Sequence, residues 1–219
     1  MGNLEIKVLS REEALKNKDF DQQWDCDNTL LKGNSLVRLA IAYSAIRFGF
    51  EKEFAFMYRN ILEEVYHFSK RLVLKPKIDH LDLLCDIMQS LTIAVGYKAG
   101  LPEQFVFGHL TKHLKGCPLD LVDYVAENMS LSSDIWQMEG KRIQVCSRNH
   151  WYIVKKTLES KEDFFSSHLK QPVYIIANDF EVKNSVYTGK VKKINVTNGN
   201  FWEYAQGKPV FNKKRFLYL

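Results

Sequence analysis

The stretch Trp24–Ser35 of this 219-residue chain reads W-D-C-D-N-T-L-L-K-G-N-S, the part of the sequence richest in groups able to do chemistry. Asp25 and Asp27 stand at i and i+2, with Thr29 next and Gly33 four residues beyond it. If the chain turns immediately after a strand, both carboxylates face one pocket and can divide labour. One attacks as a nucleophile while the other trades a proton with the leaving group. A divalent cation with oxygen ligands relieves their mutual repulsion. The plain alternative is an Asx-rich turn or helix cap, for which Asn28, Asn34 and Ser35 are further candidates.

The elements that must position this turn change character along the chain. Asp19–Trp24 (DFDQQW) precedes it and is polar for a strand buried in a parallel sheet. Either that strand is short, or Leu4–Leu9 (LEIKVL) supplies more of the sheet. From about Leu36 to Asn128 the pattern is helical, with Leu36, Leu39, Ala40 and Tyr43 at helical spacing. Pro76 interrupts it, Ile78–Lys98 resumes it, and Gly116 and Pro118 precede an amphipathic stretch at Leu119–Asn128. After Gly140 the signal is α/β: a strand at Arg142–Cys146, a helix at Asn149–Glu159, and a buried strand at Val173–Ala177. A hairpin element at Ser185–Val196 and a final strand at Arg215–Leu219 follow. The expected architecture is α/β with a parallel sheet: a core split between residues 1–35 and 133–219, around a helical insert at 36–132.

DCDNTLLKGNS resembles the DxDxT-Leu-x-x-Gly signature of haloacid dehalogenase (HAD) superfamily phosphatases. VCSRNHWYIVKKTLES resembles that superfamily's second motif, and ANDFEVKNSVYTGKV the segment that follows in its phosphoserine-phosphatase-like branch. The resemblance implies a Rossmann-like core with an all-helical cap and hydrolysis of a small phosphorylated metabolite through an aspartyl-phosphate. It makes Asp25 the nucleophile and Asp27 the general acid and base, with Asp25 and the Asp27 main-chain carbonyl binding Mg²⁺. Ser147 would hydrogen-bond a phosphoryl oxygen and Thr29 would brace the turn on the substrate side; apart from the resemblance, Lys32 and Arg148 are basic residues near the turn that could bind a substrate phosphate or carboxylate. Lys208 is the preferred match for the family's lysine, with Lys213 and Lys214 as alternatives.

The family pattern continues with a strand ending in Gly-Asp and a further Asp, acids that complete the magnesium site. Here the sequence given reaches that strand, KKRFLYL, and ends at Leu219. Three expectations follow: an excised piece, a natural truncation with weak or lost activity, or recruitment of another acid such as Asp179 or Glu181.

Composition narrows the rest. With 46% hydrophobic and 26% charged residues, the chain is an ordinary globular one, neither disordered nor collagenous. No apolar run nears the roughly 20 residues that span a bilayer, so no membrane association is expected. MGNLEIKVLSREEAL has no apolar signal core, and Ile6 stands where myristoylation wants Ser or Thr, so a cytoplasmic address is expected. Lys plus Arg is 31 and Asp plus Glu is 26, a net +5 that suits a small anionic substrate without demanding nucleic acid. Oligomeric state is not legible. His109, His113 and Cys117 fall at i, i+4 and i+8, but three ligands strung along one helix rarely converge on a metal. Two rival functions remain. RNILEEVYHF with LDLLCDIMQSLTIAVGYKAG is similar to the acidic helices of all-α nucleotide pyrophosphohydrolases, using Glu63, Glu64 and Asp86, although His67 and Leu83 replace half of the acids. The other is a phosphatase-like protein kept for binding alone.

Overall fold

In a computed structural model of the chain, residues 3–27, 29–33, 35–47, 111–197 and 199–212 are described. Among them, six strands form one sheet: β1 (Ile6–Val8), β2 (Gln22–Asp25), β3 (Ile143–His150), β4 (Val173–Lys183), β5 (Val186–Lys193) and β6 (Val210–Phe211). The order is β1-β4-β3-β2-β6 with every neighbouring pair parallel, and β5 pairs with β4. The helices are α1 (Arg11–Lys16), α2 (Ser35–Arg47), α3 (Leu119–Glu127), α4 (Trp151–Glu159) and α5 (Glu162–His168). This is the expected parallel-sheet α/β core. Val145 and Cys146 of β3, and Ile175 and Ile176 of β4, are successive residues on opposite faces and all fully buried, as strands covered on both faces require.

The chain divides into two compact units, one of residues 1–35, 126–180 and 191–219, the other of residues 36–125 and 181–190. The second unit takes in the tip of the β4–β5 hairpin, an excursion the sequence does not announce. That tip turns through Asn184 and Ser185, at φ 50° and 60°, the left-handed pair whose twist matches the flanking strands. In the same unit Gly116 takes φ +86°, and a Cβ there would lie 2.8 Å from the Tyr43 hydroxyl. The chain therefore turns between His113 and Cys117 instead of carrying both on one helix. His109, Glu63, Glu64, Asp86 and the strand expected at Arg215–Leu219 lie outside the described residues.

The polar strand before the aspartates has a specific solution. β2 is short, four residues, and β1 does supply a further strand, on the far side of β4. Asp19 and Asp21 precede β2 and bind the start of β3: Asp21 Oδ2 accepts from Arg142 N at 2.8 Å, and Asp19 pairs with the Arg142 guanidinium and accepts from Tyr174 Oη. Inside, Trp24 stacks on Phe211 with centroids 4.3 Å apart. Gln23 lies opposite Gln144 on β3, and both are completely buried.

The two amides satisfy each other and their surroundings. Gln144 Nε2 donates to Gln23 Oε1 at 3.2 Å and to Tyr204 O at 3.0 Å. Gln23 Nε2 donates to Phe201 O at 2.9 Å, and Asn17 Nδ2 donates to Gln144 Oε1 at 3.3 Å. Buried polar groups are tolerated when paired and cost about 1–3 kcal/mol each when orphaned. We predict that Gln144→Leu lowers unfolding stability by at least about 2 kcal/mol, because it strands several buried partners at once. Denaturant midpoints measure this, and a Gln23→Leu, Gln144→Leu double-mutant cycle should show strong non-additivity.

Candidate active site

The strand order reverses at β2: β3 and β4 lie to one side and β6 to the other. In open α/β sheets, ligands bind outside the carboxyl ends of strands at such a switch point. Asp25 is the last residue of β2. The chain then folds back, with Leu30 N donating to Asp25 O at 3.1 Å and Leu31 N to Cys26 O at 2.9 Å. This tight turn buries Asp25, Asp27 and Thr29, leaving the two carboxylate residues each 5% exposed.

β3 meets the turn through a local irregularity. Cys146 pairs with Ile176 and His150 with Asn178, so four steps on β3 match only two on β4. Ser147–Asn149, three residues opposite the single Ala177, bulge out of the ladder, a device common beside active sites because it re-aims side chains. It also explains why α4 begins at Trp151 and not at Asn149: Asn149 and His150 are still strand.

The bulge brings Asn149 onto Asp27. Asn149 Nδ2 donates to Asp27 Oδ2 at 2.5 Å and to Ser35 Oγ at 2.7 Å. On the other oxygen, Ser35 N and Ser35 Oγ donate to Asp27 Oδ1 at 2.8 and 3.0 Å. A carboxylate only accepts, so the contact fixes which end of the Asn149 amide faces it. Asp27, Ser35 and Asn149 thus close a ring of hydrogen bonds, all three nearly out of contact with solvent. Neither partner is evident as a site residue in the sequence, where Ser35 reads as a cap and Asn149 as the start of a helix. The one available signal was a polar residue two places after Ser147.

Ser147 is buried, and its Oγ accepts from Asn149 N at 3.1 Å, a local turn and not a cap on α4. That bond leaves the hydroxyl proton available for donation. Behind it, burial holds the Cys146 thiol well above its ordinary pKa, with the Asp25 carboxylate adding to the effect. Cys146 is therefore an inert core thiol. Fully buried Asn178 pins the bulge from β4: its Nδ2 donates to Arg148 O at 2.6 Å and its Oδ1 accepts from Asn195 N and Val196 N, both at 2.8 Å.

Other expected residues stand beside the bulge or elsewhere in the fold. Gln23 pairs with Val210, so Lys208 stands level with Asp21, before β6 begins. It sits in the turn leading into β6, where its N donates to Ala205 O at 2.9 Å. Lys208 lies ahead of the paired residues of β6, while Lys213 and Lys214 lie outside the described residues. Arg148 is half-buried beside Ser147. Asp179 is occupied elsewhere: Oδ1 accepts from Trp151 Nε1 at 3.0 Å and lies 3.5 Å from His150 Nε2, and Lys192 Nζ is 3.0 Å from Oδ2. Glu181 accepts from Thr188 Oγ1 at 2.6 Å and pairs with Lys183.

Among the described residues no group of three or more His, Cys, Asp or Glu side chains is arranged to hold a metal. The Asp27 carboxylate is occupied by its ring. Carboxylate and main-chain oxygens, the groups this turn carries, are hard ligands of the kind Mg²⁺ uses when substrate phosphate and water complete its shell.

No protein-family model and no curated protein sequence matches the chain. Among solved structures it is similar to a phospho-aspartyl intermediate analogue of phosphoserine phosphatase, at 16% identity and TM-score 0.45 over 81% of this chain and 64% of that one. A HAD family hydrolase from Salmonella enterica serovar Typhi is similar at 14% identity and TM-score 0.48, over 78% of this chain and 44% of that one. Cytosolic 5'-nucleotidase IIIB bound to cytidine is similar at 13% identity and TM-score 0.40, over 85% of this chain and 58% of that one. The chain thus spans less than two thirds of the length of each of these proteins.

Beside the bulge, His150 is 2% exposed and stacks on Phe180 with centroids 5.2 Å apart. Burial depresses its pKa, outweighing the upward pull of Asp179; nearby Lys192 adds to the depression. The unfolded chain, with an ordinary histidine near 6.5, binds a proton that the fold refuses, so this contribution to stability is lost as pH falls through about 6.5. Asp179, held low chiefly by His150 beside it and further by Lys192 and Trp151, adds its own loss only below the ordinary aspartate range near 4. Thermal unfolding should therefore show the melting temperature dropping between pH 7 and 5.5. His150→Phe, which keeps the stack on Phe180, should flatten that part of the profile.

Proposed function

We propose that the protein is a HAD-type phosphomonoester hydrolase acting on a small phosphorylated metabolite through an aspartyl-phosphate. The observation that carries this reading is the pairing of Asp25 and Asp27 in one buried turn at the switch point of a parallel sheet, with Ser147 bulged from the neighbouring strand. Phosphoryl transfer needs positioning and neutralisation of charge more than covalent machinery, and the turn offers both.

In this reading an Asp25 carboxylate oxygen attacks phosphorus in line as the bond to the leaving oxygen breaks. Asp27 delivers a proton to that oxygen, then takes one from the water that hydrolyses the phosphoenzyme. Ser147 donates its hydroxyl to a non-bridging phosphoryl oxygen, Thr29 braces the turn, and Arg148 lies on the substrate side. Mg²⁺ held by the Asp25 carboxylate and the Asp27 carbonyl would supply neutralisation of the phosphoryl oxygens. Among the described residues no helix is long and apolar enough to cross a membrane, and a cytoplasmic setting without nucleic-acid partners suits a metabolite phosphatase.

The test is phosphate release from a generic phosphomonoester with Mg²⁺. Turnover should fall by at least about 10³-fold in Asp25→Asn, the scale on which loss of a nucleophile is felt. Binding of a phosphate analogue without turnover would instead assign a binding protein. Activity that survives Asp25→Asn but disappears with Glu64→Gln on nucleotides would assign a pyrophosphohydrolase.

A further inference from the structure

The hydrogen-bonded ring around Asp27 assigns a part to a residue outside the motif. We propose that Asn149 is a positioning residue that fixes the Asp27 carboxylate for proton exchange with the leaving oxygen and the attacking water. The proposal rests on the phosphatase reading above.

Asp27 Oδ1 is held by Ser35, which follows it in the chain, but Oδ2 takes its bond from Asn149 on a different strand. With Oδ1 alone restrained, the carboxylate keeps freedom to swing about its terminal torsion, which is broad for an Asp side chain. The bond from Asn149 to Oδ2 removes that freedom. The second proton of the same amide goes to Ser35 Oγ, so the serine hydroxyl must turn its own proton towards Asp27 Oδ1. One side chain thereby sets both oxygens. It does so from a bulge held at Arg148 by the fully buried Asn178, so its position is itself fixed. Well-supported neighbours of this kind separate a site in working geometry from one that is merely present.

Proton transfer enters the two chemical steps in opposite senses. As the Asp25 oxygen–phosphorus bond forms and the leaving bond breaks, the Asp27 proton moves to the departing oxygen. As water attacks, its proton returns to Asp27 and the aspartyl oxygen–phosphorus bond breaks, regenerating both carboxyl groups. A good leaving group needs no proton in the first step, whereas the second needs the base whatever the substrate.

The experiment compares wild type, Asn149→Ala and Ser35→Ala on an alkyl phosphate and on p-nitrophenyl phosphate, with acid-quenched phosphoenzyme measured from ³²P-labelled substrate. On the alkyl phosphate, Asn149→Ala should lower kcat by about 10- to 100-fold, part of the 10²–10⁴ that general acid–base catalysis supplies, with KM changed less than about 3-fold. On p-nitrophenyl phosphate the same variant should accumulate phosphoenzyme, because its formation is spared and its hydrolysis is not. Ser35→Ala should show the same signature more weakly and carries the test should Asn149→Ala fail to fold. Equal losses on both substrates without accumulation, or unchanged kcat, overturn the role of Asn149 while leaving the phosphatase reading intact. A folded wild type without turnover or phosphoenzyme overturns both.

Discussion

A buried carboxylate is tolerable only where donors replace the water it has lost, and that requirement organises the region around Asp27. Its donors come from the start of α2 and from the end of β3. To bring the second of these within reach, β3 gives up a regular ladder and bulges over Ser147–Asn149. The bulge delays the start of α4, sets Ser147 Oγ against the Asn149 amide N–H, and leaves the Arg148 carbonyl to be met by Asn178. A single charge at the end of a neighbouring strand thus shapes β3, β4 and the segment near Asn195.

The same logic, with neutral groups, governs the middle of the sheet. β2 puts a glutamine where an apolar residue is the rule, and the sheet accommodates it by placing another glutamine opposite and carbonyls of residues 201 and 204 at the ends of the chain of bonds. Trp24, on the alternate face, supplies the apolar contact that a four-residue strand could not spare. Polarity and burial therefore coexist in β2 by division between its two faces.

Much of this was legible beforehand. The aspartate turn, the α/β alternation after Gly140 and the strand at Val173 follow from spacing and periodicity, which local sequence carries. The misplaced helix start has a physical cause: Asn149 reads as its first residue because the bulge is not written in nearby residues but set by the strand that lies alongside. Asp179 reads as a spare acid because Trp151, His150 and Lys192, which surround it in the fold, give no sign of that in the sequence. A buried glutamine pair is equally invisible, since each amide alone argues for exposure.

That glutamine pair has a consequence beyond stability. Side chains on a strand repeat every second residue, so a slip of two places would keep every apolar group on its proper face and go unnoticed by hydrophobic packing. Amides are less forgiving: Gln23 finds its complement only opposite Gln144, and that alignment is the one that sets Asp25 beside Cys146. Shifted by two, the aspartate turn would sit about 6.6 Å from the bulge it depends on. The two glutamines act as an index mark between β2 and β3, holding the reactive end of one strand in step with the supporting end of the other.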